Sequence, residues 1–438
     1  MININKNEFY KNTLTLSSGL ILSQAIPVLI APLLTRIYSI DIFGIYFVYS
    51  AIVVILSVFA TFQYEITMVL PKNDSDSVNL LALSIVISFV MSAFLTLLIF
   101  FFNQTFAVLL GNEKIAPWLF LIPISVLLTG IFQSFNYFGN RFKDYKEISA
   151  GRVIKSSITA ASQIPLSYGQ FEKFGLIGGL IAGQFFSAVY LIYRLKDRYR
   201  ILINEISFKR ITELAVEYKN VPIFNTLMGV QNRISNHLPF FLLGHYYGLT
   251  IVSLYGLAHR IINTPAGILS QSIGQVFYQR ASEIYNEKKD LYNLVKTIYL
   301  KLIKVSIIPF VILFITAPYI FKYIFGSEWA LTGRIIQLLI PWLFMMFLNN
   351  PITSIITILN KQKVLVLYNT FLLIFRFIGL YLGFKIYHNE YYSILFYSLV
   401  GFIFNFVICF YILRISKNKS KIISKNNKFE TVYNNQNT

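Results

Sequence analysis

L-L-A-L-S-I-V-I-S-F-V-M-S-A-F-L-T-L-L-I-F-F-F, residues 80–102, contains no charged residue. As a helix rising about 1.5 Å per residue, it is long enough for a hydrocarbon layer of about 30 Å. Similar runs recur on both sides of it. About twelve spans are predicted, at 12–34, 42–62, 80–102, 117–138, 150–168, 174–194, 220–244, 250–275, 305–325, 332–359, 364–385 and 392–413. The fifth is the most polar, diluted by Ser156, Ser157, Thr159, Ser162 and Gln163, with Arg152 and Lys155 at its start. The expected fold class is an all-α polytopic membrane protein.

Composition agrees. Of 438 residues, 56% are hydrophobic and 13% charged, with a mean hydropathy of +0.61. Soluble domains carry about 25% charged residues. The N-terminal run Leu14–Leu34 is too long for a signal-peptide core and reads as a retained first span. One cysteine, Cys409, excludes an intramolecular disulfide. Four histidines without an H-x-x-x-H pair beside a carboxylate give no metal signature, and no cofactor motif is present.

The net charge of +19 would suggest nucleic acid in a soluble protein, but its placement points to a membrane instead. Lys and Arg in the N-terminus, even-numbered loops and tail number 29; the odd-numbered loops hold 6. That asymmetry puts both termini in the cytoplasm and requires an even number of spans. The connection Leu195–Lys219 separates two six-helix bundles, 1–205 and 206–415, the layout of a transporter built from paired bundles. Residues 416–438 are polar and lysine-rich and read as a disordered cytoplasmic tail.

Three arginines, Arg233, Arg260 and Arg376, stand near the middle of apolar stretches that contain no Asp or Glu. At bilayer depth an arginine costs roughly 2.5–3.5 kcal/mol on the insertion scale. In Q-N-R-I-S-N-H-L-P, Arg233 follows Asn232 and shares a helical face with Asn236 and His237. In A-H-R-I-I-N-T-P, Arg260 follows His259 and shares a stripe with Asn263 and Gln271. Arg376 has Asn369 about two turns before it. The pattern predicts one water-filled cavity lined by guanidiniums and amides, suited to a visiting anion. The competing reading is that each arginine snorkels, or bonds a carbonyl freed near Pro239, Pro265 or Gly379.

Other polar groups keep two readings each. His237 and His259 are either packing histidines or proton relays. Glu65, at the cytoplasmic end of the second span, either couples or gates transport or contacts a nearby cation. The amides Gln24, Gln133, Asn136, Asn349, Asn350 and Asn405 bond between helices or meet sugar hydroxyls. No nucleophile–base pair, Walker sequence or long outward loop points to an enzyme or to direct use of ATP.

Several segments carry a resemblance. G-L-I-L-S-Q-A-I-P-V-L-I-A-P-L-L-T-R-I-Y-S-I-D-I-F-G (19–44) resembles the first-span signature of the polysaccharide and O-antigen repeat-unit flippases of Wzx type. These are members of the multidrug/oligosaccharidyl-lipid/polysaccharide (MOP) exporter superfamily. Q-Y-E-I-T-M-V-L-P-K (63–72), Y-K-N-V-P-I-F-N-T-L (218–227), Y-G-L-A-H-R-I-I-N-T-P (255–265) and Q-S-I-G-Q-V-F-Y-Q-R-A-S-E (271–283) are similar to the same family.

The resemblance implies a MOP/MATE-like fold of two six-helix lobes in a bacterial inner (cytoplasmic) membrane. It implies transfer of an undecaprenyl-pyrophosphate-linked oligosaccharide, for O-antigen or capsule, from the cytoplasmic to the periplasmic leaflet by alternating access. Arg233, Arg260, Arg376, Asn263, His237 and Asn232 become candidate substrate contacts, and Arg36, Glu65 and His259 candidate gating or coupling residues. Besides the lipid bilayer, a polysaccharide polymerase and a chain-length regulator are candidate partners. A drug or cation exporter of the same superfamily is the first alternative, and it should carry a membrane carboxylate for its cargo. A membrane glycosyl-transferring enzyme is the second, and it would need acidic groups on a long loop.

Overall fold

The computed structural model describes residues 6–168, 172–287 and 289–436, with side-chain surroundings described within 15–419. Twelve principal helices are α1 (Lys6–Ile37), α2 (Ile40–Leu56), α3 (Asp74–Leu109), α4 (Ile122–Arg141), α5 (Tyr145–Gln163) and α6 (Glu172–Arg194), then α7 (Asn220–Tyr247), α8 (Leu249–Asn286), α9 (Leu291–Ile320), α10 (Ala330–Asn349), α11 (Gln362–Tyr387) and α12 (Glu390–Gln436). Each of the twelve predicted spans overlaps one of them, although some, such as 42–62 at α2 and 332–359 at α10, run past the helix ends. A helix satisfies its backbone internally, which hydrocarbon demands.

Among the described residues, seven helices are long and apolar enough to cross a membrane, and the bent pair Glu113–Leu119 and Ile122–Arg141 makes an eighth. The apolar α2 is shorter, and α5, α7 and α8 are more polar. Those four helices hold most of the candidate polar residues. Large apolar side chains stay on the outside, such as Phe94, Leu97, Phe100 and Phe101 of α3. A surface of this kind requires lipid as its solvent.

The chain divides into two compact units, Met1–Leu257 with Ile324–Glu328, and Ala258–Tyr323 with Trp329–Thr438. Sequence reading puts the division at 205/206; the compact units divide inside α8. The reason is packing between α7, the start of α8, and α2. Gly44 of α2 comes so close to Leu249 that a Cβ would stand 2.5 Å from its carbonyl oxygen. Phe47 stacks on Phe240, with ring centroids 6.0 Å apart, and Ser253 donates to the Ile40 carbonyl.

In the first unit, α5 packs against α1 and α6, α4 against α3 and α6, and α7 against α2. Its core gathers Met68, Leu80, Phe132, Phe138, Leu191 and Leu214. In the second unit, α12 packs against α9, α10 and α11. There Tyr299 donates to Asn349 Oδ1 (2.9 Å), and Asn349 Nδ2 donates to the Asn405 carbonyl (2.7 Å). These bonds join α9, α10 and α12, at about 0.6–1.7 kcal/mol each.

α12 continues as a helix through Gln436, so over 416–436 a helix stands where a disordered tail is expected. Residues 437–438 of that tail lie outside the described residues.

Candidate functional site

The first unit concentrates its polar chemistry where α2 stops. Past Leu56, the sequence S-V-F-A-T-F-Q-Y-E leaves the helix, and Phe62 and Gln63 both take positive φ (47° and 62°). Two consecutive non-glycine residues in the left-handed region are strained and persist only where neighbours hold them. Thr226 of α7 donates to the Phe62 carbonyl (3.1 Å), and Tyr64 donates to the Ala215 carbonyl (3.0 Å). Arg141, at the end of α4, binds the return of the chain. It donates to the carbonyls of Val69 (3.3 Å) and Lys72 (3.0 Å) and to Asp74 (3.1 Å).

Arg233 reaches this broken end from α7. Its Nη1 donates to the Val54 carbonyl (2.9 Å) and to Ser57 Oγ (3.1 Å). The carbonyls of Val53, Ile55 and Leu56 receive backbone N–H groups from Ser57, Val58 and Phe59. Val54 is served instead by the Ser57 hydroxyl (2.8 Å) and by Arg233. A cation at a helix C-terminus also meets the negative end of the macrodipole. Among the described residues, Nε and Nη2 of Arg233 make no hydrogen bond.

Glu65 sits close by, 2% exposed, and accepts a hydrogen bond from Thr61. Burial pushes its carboxyl above the ordinary carboxylate range, against the Thr61 hydrogen bond and the charge of Arg233. The apolar stretch around Arg233 contains no acid, yet the fold brings one from the turn after α2. An acid therefore lies near Arg233, although its neutral form is the one that burial favours.

Two cations at the start of the predicted fifth span join this region, though sequence reading assigns them no site role. Arg152 and Lys155 lie one turn apart on α5, both half-buried. Lys155 Nζ stands over the Phe132 ring, 5.5 Å from its centroid. Arg152 interacts electrostatically with Tyr137, and Tyr137 with Glu65. The available signal is their i,i+3 spacing within a Ser/Thr-rich span.

The other first-unit candidates are placed as follows. Arg36 is exposed at the end of α1, and its Nη2 donates to the Ile324 carbonyl (3.3 Å). His237 stacks on Phe240 (centroids 5.6 Å), which meets Tyr255 edge-on (5.3 Å). His237 is thus part of an aromatic column with Phe240 and Tyr255. Asn232 is exposed and accepts from Asn236 Nδ2 (2.8 Å).

The second unit holds Arg260, His259, Asn263 and Arg376. Arg260 and His259 are half-buried on α8. Asn263 Oδ1 is buried and accepts no hydrogen bond among the described residues. Arg376 is 2% exposed. Its guanidinium stands 4.6 Å from the ring centroids of both Trp342 and Tyr397, and those rings meet edge to face. The water-facing Arg376 expected from its depth is instead clamped by aromatic rings from α10 and α12. Both rings lie too far along the chain for periodicity to reveal.

This helical architecture is shared with solved structures of several membrane proteins. The chain is similar to the lipid II flippase MurJ in its inward closed conformation (TM-score 0.71, 15% identity, 94% of this chain and 90% of that one). It is similar to an outward-facing multidrug resistance MATE family transporter (0.64, 12%, 94% and 96%). It also resembles a MOP superfamily transporter from Pyrococcus furiosus whose binding pocket is described as reversed in polarity (0.59, 13%, 94% and 96%). At these identities the likeness establishes the fold. Residues 33–332 match the polysaccharide biosynthesis protein family, and the chain belongs to that family. No curated protein matches it.

Proposed function

We propose that this membrane protein flips an undecaprenyl-pyrophosphate-linked oligosaccharide, an O-antigen or capsule repeat unit, from the cytoplasmic to the periplasmic leaflet by alternating access. Arg233 carries the proposal. One Nη is anchored on α2, while Nε and Nη2 form an open edge of the guanidinium fork. That edge matches two phosphate oxygens, and such charge-assisted bonds are roughly twice as strong as neutral ones. Arg152 and Lys155 add positive charge in the same unit, and Arg260 with Asn263 supplies a comparable pair on α8. Arg36, Glu65 and His259 are proposed as gating or coupling positions.

A pyrophosphate headgroup cannot enter hydrocarbon with its hydration shell, so a protein that moves it must replace that shell with donors. The polyprenyl tail needs no such help. Outward movement of an anion is favoured by an inside-negative potential, about 2.3 kcal/mol per charge per 100 mV. The predominance of cations around the Arg233 region opposes the reading as a cation exporter, whose cargo would be repelled.

The test is complementation of a bacterial strain lacking its own repeat-unit translocase, with surface glycan as the readout. Restored glycan supports the proposal. A folded, membrane-resident protein that restores none contradicts it.

A further inference from the structure

The connection between α6 and α7 is docked firmly on one side and left apolar on the other. Its two helices are Lys196–Leu202 and Phe208–Glu217. On the inner side, Arg210 makes a two-pronged pair with Asp76 (2.7 and 2.9 Å). Asn79, 1% exposed, donates to the Glu205 carbonyl (3.0 Å) and accepts from the Ser207 N–H (2.9 Å). Leu214 is fully buried in the core of the first unit. The segment cannot roll over to hide its outer face.

That outer face carries Phe208 (82% exposed) and Val216 (63%), with Thr212 between them at helical spacing. The Thr212 hydroxyl donates to the carbonyls of Phe208 and Lys209, so its polar group is satisfied within the helix. Ile201 and Ile203 extend the exposed apolar surface. Tyr193 on α6 and Ile223 and Phe224 on α7 continue it into the spans at either end. Exposed Glu205 and Glu217 offset Arg200 and Lys209, so charge alone does not define the partner. A stripe of this kind beside spanning helices fits the headgroup–acyl boundary.

We infer that residues 201–216 form an in-plane anchor, seated in the surface of the bilayer that the chain itself spans. Its partner is phospholipid, entered by Phe208 and Val216, and its inner side holds Tyr64 beside the Glu65 turn through the Ala215 carbonyl.

The test uses the full chain in phosphatidylcholine nanodiscs, with Val216→Cys in a Cys409→Ser background carrying an environment-sensitive fluorophore. The expected result is blue-shifted emission, quenched by lipids doxylated near the headgroup and little by iodide. Adding Phe208→Ser should cut lipid quenching severalfold, because each such side chain shifts partition by on the order of tenfold. Arg210 and Leu214 stay intact, so the fold is retained. Iodide quenching without lipid quenching overturns the inference. So does protection that appears only as protein concentration rises, which would mark a second copy, or lipid quenching unchanged by Phe208→Ser.

Discussion

Arg233 Nη1 and the Val54 carbonyl oxygen lie 2.9 Å apart, joining a guanidinium of α7 to the open end of α2. The contact makes Arg233 an anchor, and the proposed function adds a second role for it as an anion receptor, through the part of the fork not committed to α2. Replacing it therefore has two separable consequences. Arg233→Ala should lower thermal stability by about 1 kcal/mol, through the lost hydrogen bonds and helix-end charge. Surface glycan per membrane-resident molecule should fall by more than that loss accounts for. Arg233→Lys should restore stability more than transport, because an ammonium lacks the planar fork. Melting curves and glycan blots on the same variants separate the two effects.

Glu65 supplies the pH dependence. Burial raises its folded-state pKa above the unfolded value. Its protonated form is therefore the one the fold favours. The resulting stability is fully present below the unfolded pKa and is lost as pH rises through the folded one. Melting temperature of the wild type should decline upward from about pH 4, the ordinary carboxylate range. Glu65→Gln should flatten that slope. A slope of opposite sign would mean that Arg233 and Thr61 outweigh burial.

Arg376 should behave as a structural residue. Arg376→Ala empties the space between Trp342 and Tyr397 and removes two cation–π contacts, each roughly 0.5–2 kcal/mol. Stability should drop by about 2–4 kcal/mol with the cavity included. Glycan output per folded molecule should hold. Thermal unfolding monitored by tryptophan emission would report the change, since Trp342 is one wall of the clamp.

Arg210→Ala should free the connecting helix. It breaks the bidentate pair with the largely buried Asp76, at about 1–3 kcal/mol. Hydrogen exchange should accelerate across Glu205–Glu217 and stay unchanged in α9–α12. Uniform acceleration would instead indicate global destabilisation.

The twelve helices were legible because hydrocarbon leaves a continuous signature in the chain, and even the serine-rich α5 was recoverable through charge parity of the loops. The arginines were visible as charges in apolar runs, but their surroundings were not. Periodicity sees neighbours three and four residues away. The partners that decide each arginine are Val54, Ser57 and Glu65 for Arg233, and Trp342 and Tyr397 for Arg376, all brought in by tertiary packing. The expected bundle boundary is 205/206, whereas the compact units divide inside α8. Contacts among α2, α7 and the start of α8 decide that boundary. The lysine-rich stretch after Leu413 has a polar composition that suggests disorder, yet the helix of the last span continues through it.

The most direct measurement is transfer of undecaprenyl-pyrophosphate-linked oligosaccharide across proteoliposomes holding purified wild type or the Arg233→Ala/Arg260→Ala variant. Transfer by the wild type, and its loss by at least about tenfold in the folded variant, roughly 1.4 kcal/mol of lost phosphate binding or more, is the expected result. Equal transfer by both proteins would contradict a guanidinium-based passage for the pyrophosphate.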